Sequence, residues 1–141
     1  MPDDAVESVL RALAHRDRSS AELDRRLTEA GFEPEDRERA LETLQRTGLV
    51  DDARFARNRA ESLAARGAGD ALVRHDLAAA GVDAELAEDA IARLEPEPER
   101  AQRIVRKRGS SPKTARYLHG RGYSPDVVSA VVATDDAGEL R

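Results

Sequence analysis

The sequence predicts an all-α protein: three tandem three-helix repeats of helix-turn-helix-like units, forming an elongated, curved array. Composition is the first observation behind this. Ala, Leu, Arg and Glu, all strong helix formers, dominate the 141 residues. Two Phe, two Tyr and no Trp are present. No run of β-branched and aromatic residues of the kind that strands use occurs before residue 127. The second observation is an internal repeat. Leu23-Asp-Arg-Arg-Leu27-Thr-Glu-Ala-Gly31-Phe32, Val73-Arg-His-Asp-Leu77-Ala-Ala-Ala-Gly81-Val82 and Thr114-Ala-Arg-Tyr-Leu118-His-Gly-Arg-Gly122-Tyr123 share one frame: a Leu, three residues, a Gly, then an apolar residue. Eighteen positions before each Gly stands Leu13, Leu63 or Ile104; twelve before it, Ser19, Gly69 or Ser110; ten after it, Leu41, Ile91 or Val132. The third observation is period. Val6, Val9, Leu10 and Leu13, and later Leu86, Ala87, Ala90, Ile91 and Leu94, recur at the spacing of one helix face.

Nine helices are expected, over 4–16, 20–30, 34–47, 51–66, 70–80, 84–94, 97–108, 112–121 and 125–133. Ser19-Ser20-Ala21-Glu22 is a capping box that starts the second. Leu23 and Leu27 follow it on one face. Gly48 punctuates the turn after the third helix. Asp51 and Asp52 open the fourth, where acids complement the helix dipole. Phe55 on that helix is expected in the core, sealing the junction between the first two units. Gly67 ends the fourth helix, and Ser110-Ser111-Pro112 starts the eighth. Gly31, Gly81 and Gly122 stand where a left-handed residue closes a helix. Glu95-Pro96-Glu97-Pro98 is the clearest boundary, because the residue before a proline disfavours helix. The expected units are 1–49, 50–95 and 96–134, followed by a flexible tail at 135–141. A unit of this size rarely buries enough surface to fold alone, so stacked neighbours stabilise one another.

Composition narrows the function. With no Cys, disulfides and thiolate metal sites are excluded. The acidic start, Met1-Pro2-Asp3-Asp4, does not read as a signal peptide, and no apolar stretch is long enough to span a bilayer. A soluble cytoplasmic protein with no membrane partner is expected. The net charge of −5 is unevenly placed. Residues 1–50 carry 8 Arg against 12 acids, and residues 51–95 carry 6 Arg against 10. Residues 96–141 carry 9 cations against 6 acids. Within 100–121 there are eight cations and no acid: Arg100, Arg103, Arg106, Lys107, Arg108, Lys113, Arg116 and Arg121. Such a block attracts a polyanion or an acidic protein surface. Tyr117 and Tyr123 interleave with it, which raises stacking on bases.

No catalytic, cofactor or metal site is expected. His15, His75 and His119 fall in different columns of the repeat and share no ligand spacing. Gly67-Ala68-Gly69 follows no strand, so it is not a dinucleotide loop. The chain reads as a binding protein rather than an enzyme.

Two stretches carry a family resemblance. Arg16-Asp-Arg18-Ser19-Ser-Ala-Glu22-Leu23-Asp-Arg-Arg26-Leu27-Thr-Glu-Ala-Gly31-Phe32 resembles the first motif of the RecX family. Leu44-x3-Gly48-Leu49-Val50-Asp51-Asp52-Ala-Arg54-Phe55-Ala56 resembles that family's passage into its second unit, and Arg66-Gly67 and Asp76-Leu77-x3-Gly81-Val82 continue in register. The resemblance runs from about residue 6 to residue 133. Ala71, Leu72 and Ala80 depart from it, standing where the family usually has basic residues. It implies a regulator in DNA repair, recombination and the SOS response that lies in the groove of the RecA–DNA filament and restrains recombinase, ATPase and co-protease activity. The implied partner is the RecA filament, with single- or double-stranded DNA met through residues 100–121. Candidate contacts are Arg16, Arg18, Arg54, Arg66 and the cations of 100–121. A monomer is expected. A direct DNA-binding regulator of helix-turn-helix type, or a general helical scaffold, remains open on the residues alone.

Overall fold

The computed structural model describes residues 2–139. Nine helices follow in order: α1 (Pro2–His15), α2 (Ser20–Glu29), α3 (Pro34–Arg46), α4 (Asp52–Ala65), α5 (Asp70–Ala79), α6 (Ala84–Ala92), α7 (Glu97–Arg108), α8 (Pro112–Gly120) and α9 (Pro125–Glu139). No strand occurs among the described residues. Starts and stops follow the local chemistry. Ser19 Oγ accepts the Glu22 N–H while the Glu22 carboxylate accepts the Ser19 N–H, both at 3.1 Å, which completes the capping box. Asp51 and Ser111 cap α4 and α8 through the N–H groups of Arg54 and Thr114. The three middle helices end alike. The Gly31 N–H donates to Thr28 and the Phe32 N–H to Leu27, and the same pair of bonds recurs at Gly81–Val82 and Gly122–Tyr123. The one long difference from expectation is α9, which runs past residue 133 to Glu139. Nothing in Thr134–Ala137 breaks a helix already propagating. The expected tail at 135–141 overlaps this helix, and its last two residues lie outside those described.

Each unit has its own core. Ala5, Val9, Leu23, Leu27, Leu44 and Val50 are buried together in the first. Phe55, Ala60, Val73, Leu77, Ala87 and Ile91 fill the second. Ala101, Val105, Leu118, Tyr123, Val128 and Val131 fill the third. The dense helix pairings are all within a unit, led by α1 with α3, α4 with α6, and α7 with α9. The accessible surface is 8514 Å². A compact monomer of this mass would expose about 7,200 Å², so the array is drawn out rather than rounded.

Two junctions join the units, and they share one design. The start of one middle helix sits on the glycine turn that ends the next middle helix. At the first junction Ser19 Oγ, fully buried, donates to Ala80 O at 2.5 Å, and Arg25 Nη2 donates to Ala79 O at 3.2 Å. At the second, Gly69 replaces the serine and the backbones approach directly. The Gly69 N–H donates to Arg121 O at 2.8 Å and the Ala71 N–H to Gly122 O at 3.1 Å. The first residue of the following unit's leading helix then reaches back with a carboxylate. Asp52 accepts the Ser20 N–H and hydroxyl at 2.7 and 2.6 Å. Glu97 accepts the Asp70 N–H at 2.8 Å and, with its other oxygen, the Ser124 N–H at 2.9 Å. Of the three residues that depart from the RecX pattern, Ala80 is buried beneath Ser19 and Leu72 lies against Gly122, while the exposed Ala71 has no side-chain role in the junction.

Candidate functional site

The basic block splits into an internal part and an exposed part. Arg100 is internal, with 5% of its surface exposed. Its guanidinium pairs with Asp70, donates to Ala68 O at 2.9 Å and Glu95 O at 2.8 Å, and lies 5.9 Å from the centre of the Tyr123 ring. Arg100 therefore ties the second unit to the third and offers no face to a partner. Arg121 is half-buried at the same junction and donates to Arg66 O at 3.0 Å. Arg103 is exposed, but its Nη2 holds both carboxylate oxygens of Glu95, at 2.5 and 2.6 Å. That bond holds the Glu95 carboxyl below its ordinary pKa.

Five cations are left. Arg106, Lys107 and Arg108 occupy the last turn of α7, and Lys113 and Arg116 lie on the first two turns of α8. All five are exposed, and none forms an ion pair among the described residues. Only the short loop 109–111 separates the two groups. The start of α8 adds the positive end of its dipole to the same corner. Neither tyrosine is open for base stacking, contrary to expectation. Tyr123 is 3% exposed, and burial pushes its hydroxyl pKa up. Tyr117 is half-buried and carries the Arg108 guanidinium 3.5 Å from its ring centre. Both rings follow a glycine turn or face the core, so packing claims them first.

The candidates in the first two units are mostly engaged with their own surroundings. Arg16 pairs with Glu22 at 3.4 Å. Arg18 donates to Ala12 O at 3.3 Å, and burial, then neighbouring Arg16 and Arg26, lower its guanidinium pKa. Arg54 holds the loop before α4 through Gly48 O and Leu49 O, and Arg66 bonds back to Ser62. Phe55 is buried in the second core and lines two clefts together with Arg16, Asp17, Glu22 and Arg25 of the first unit. His15, His75 and His119 are exposed, and no group of three or more acids and histidines is placed for a metal among the described residues. Two clefts, of about 540 and 580 Å³, share repeat columns in the second and first units, and the former is also lined by the third unit. Ser20, Ala21, Asp24 and Leu41 line one, and their repeat counterparts Asp70, Ala71, Arg74 and Ile91 line the other. Sequence reasoning missed Asp70 and Glu97, whose buried or half-buried carboxylates hold the second junction. For Glu97 the signal was present in the repeat: each unit after the first opens its leading helix with an acid, Asp52 and Glu97.

Two family models match in tandem, the first three-helix domain of RecX over residues 5–44 and the second over 51–91. The chain belongs to the RecX family. RecX relatives match it along most of their length. The "Regulatory protein RecX" of Chromohalobacter salexigens is 36% identical, covering 93% of this chain and 90% of that one. That of Mycolicibacterium smegmatis is 33% identical, covering 97% and 82%. The crystal structure of RecX from Lactobacillus salivarius has the same fold, with a TM-score of 0.83 at 17% identity, over 96% of this chain and 97% of that one. A second RecX crystal structure reaches 0.78 at 20% identity, over 92% of this chain and 72% of that one. The relatives are named as regulatory proteins. No helix among the described residues is long and apolar enough to cross a membrane.

Proposed function

We propose that the chain is a non-enzymatic, cytoplasmic regulator that lies in the groove of the RecA–DNA filament and inhibits RecA. Its mechanism is occupancy. A strip of three units set across neighbouring RecA subunits closes the groove to incoming duplex and to repressor, and so lowers strand exchange, ATP hydrolysis and co-protease activity. RecX membership supports the choice of partner. The observation that carries the reading is the charge placement. Arg106, Lys107, Arg108, Lys113 and Arg116 stand unneutralised by acids at one end, while the units at the other end are acidic. A rod with one cationic end takes one orientation on a polyanionic fibre.

The test is RecA ATPase on single-stranded DNA, titrated with the chain. Inhibition that saturates below one chain per RecA subunit is expected. Full ATPase at stoichiometric chain would contradict the reading. The second reading, a direct DNA binder, is favoured by the same five cations beside the start of α8. It predicts binding to naked duplex that falls with salt at about 0.9 log units per log unit for each phosphate met. Reversal of Arg106 and Lys107 to Glu separates the two. Loss of duplex binding with RecA inhibition intact assigns those cations to DNA alone.

A further inference from the structure

We propose that the two ends of the array bind one another between copies of the chain, head to tail, through the repeat columns that form the internal junction. This does not depend on RecA. The junction occurs twice inside the chain, built from the same columns of the repeat. In each terminal unit one set of these columns meets no neighbouring unit.

At one end is the glycine turn of α2. Ala30 is exposed, whereas its counterpart Ala80 is 6% exposed beneath Ser19. A Cβ built on Gly31 meets nothing within 4 Å. One built on Gly81 meets the Ala21 side chain at 2.3 Å, and one on Gly122 meets the Leu72 backbone at 2.5 Å. At the other end is the start of α8. Ser110, Pro112 and Arg116 stand in the columns of Ser19, Ala21 and Arg25, which make the first junction. Ser110 is half-buried and donates its hydroxyl to Val132 O of its own unit at 2.7 Å, and Pro112 has no N–H, so this face offers the Arg25 column rather than the serine bond.

The charges of the two faces complement each other. Arg25 donates to Ala79 O across the first junction. Its counterpart Arg116 is exposed and unpaired, and the counterpart of Ala79 is Glu29, also exposed and unpaired. Setting the α8 face of one copy on the α2 turn of another brings Arg116 to Glu29. Lys113, in the column of Leu72, comes beside the Gly31 turn and the exposed Glu33. Inside the chain the junction is held at the effective concentration of tethered units, which is of millimolar order for a short linker. Between copies that tether is lost. The chain is therefore monomeric when dilute, as the sequence suggests, and assembles when crowded or when copies are aligned on a scaffold. The contact joins two different faces, so it is open-ended.

Sedimentation equilibrium of the full chain alone at low salt tests this, over about 0.01–1 mM, the range an untethered contact of this kind needs. The weight-average mass is expected to climb past twice the monomer mass without a plateau. Glu29→Arg and Arg116→Glu should each hold the mass at monomer across the range. Their equimolar mixture should climb again, because each variant carries the complement of the other's altered face. Arg39→Glu, with the same charge change as Arg116→Glu on the exposed side of α3, should leave the climb unchanged. Circular dichroism confirms that each variant is folded. A constant monomer mass for the parent chain would overturn the proposal. So would a plateau at the dimer, a climb that neither reversal abolishes, or a mixture that fails to assemble.

Discussion

Gly31 and Gly122 occupy the same column and differ in what surrounds them. Both have positive φ, +89° and +88°, a region that costs other residues about 1–2 kcal/mol. Gly31→Ala should carry that cost alone, since its Cβ meets open space. Gly122→Ala adds a collision with the Leu72 backbone at 2.5 Å, and overpacking adds roughly 1–3 kcal/mol. Urea unfolding is expected to rank Gly122→Ala well below Gly31→Ala; equal midpoints would contradict the account. Gly69 shows the limit of reading such positions from sequence. Its φ of −83° suits any residue. Its need for glycine comes from the Gly122 carbonyl carbon, 2.6 Å from where a Cβ would stand, in another unit. The repeat exposes the column, but only the packed junction explains the residue. Arg100 makes the same point. It reads as the first cation of a surface block, yet it is one residue from Ala101 on the buried side of α7 and closes on Asp70.

Apart from the end of α9, helix ends were legible to within a residue or two because capping residues and glycine turns are local signals. Ser19, Asp51, Pro112, Gly31 and Gly81 each act where their chemistry places them. What an acid at a helix start reaches for is not local. Asp52 and Glu97 cap helices of the preceding unit. Glu97→Ala leaves the Asp70 and Ser124 N–H groups unmatched in a site where the residue was 7% exposed. The loss should be about 2–4 kcal/mol, with faster amide exchange at those two positions. Unchanged exchange there would count against the junction. Two exposed pairs give a pH signature. Hydrogen bonds from Arg74 and Arg103 hold the Glu88 and Glu95 carboxyls below their ordinary values. Unfolded, each titrates at about 4.3. Between the two values the unfolded chain binds more protons, so the stability these pairs lend is full above about pH 4.3 and lost as pH falls through the folded value. The acid-side fall in melting temperature should be shallower at high salt, because both pairs are exposed and screened.

At the scale of the whole molecule, three small cores are joined by two narrow junctions. The threefold recurrence was plain in the sequence, because each unit repeats its leucine, glycine and cap columns. The stacking geometry was not, because it rests on backbone approach and on carboxylates that act between units. X-ray scattering should give a radius of gyration clearly above the roughly 14 Å expected of a compact chain of 141 residues. The proposed binding to the RecA filament makes a sharper demand on this shape. Helical reconstruction of RecA–DNA filaments saturated with the chain tests it most directly. The account predicts a continuous three-lobed strip along the filament groove, with the α7–α8 corner always toward the same side. A bare groove, with the chain bound only to free DNA or to the outer surface of the filament, would contradict it.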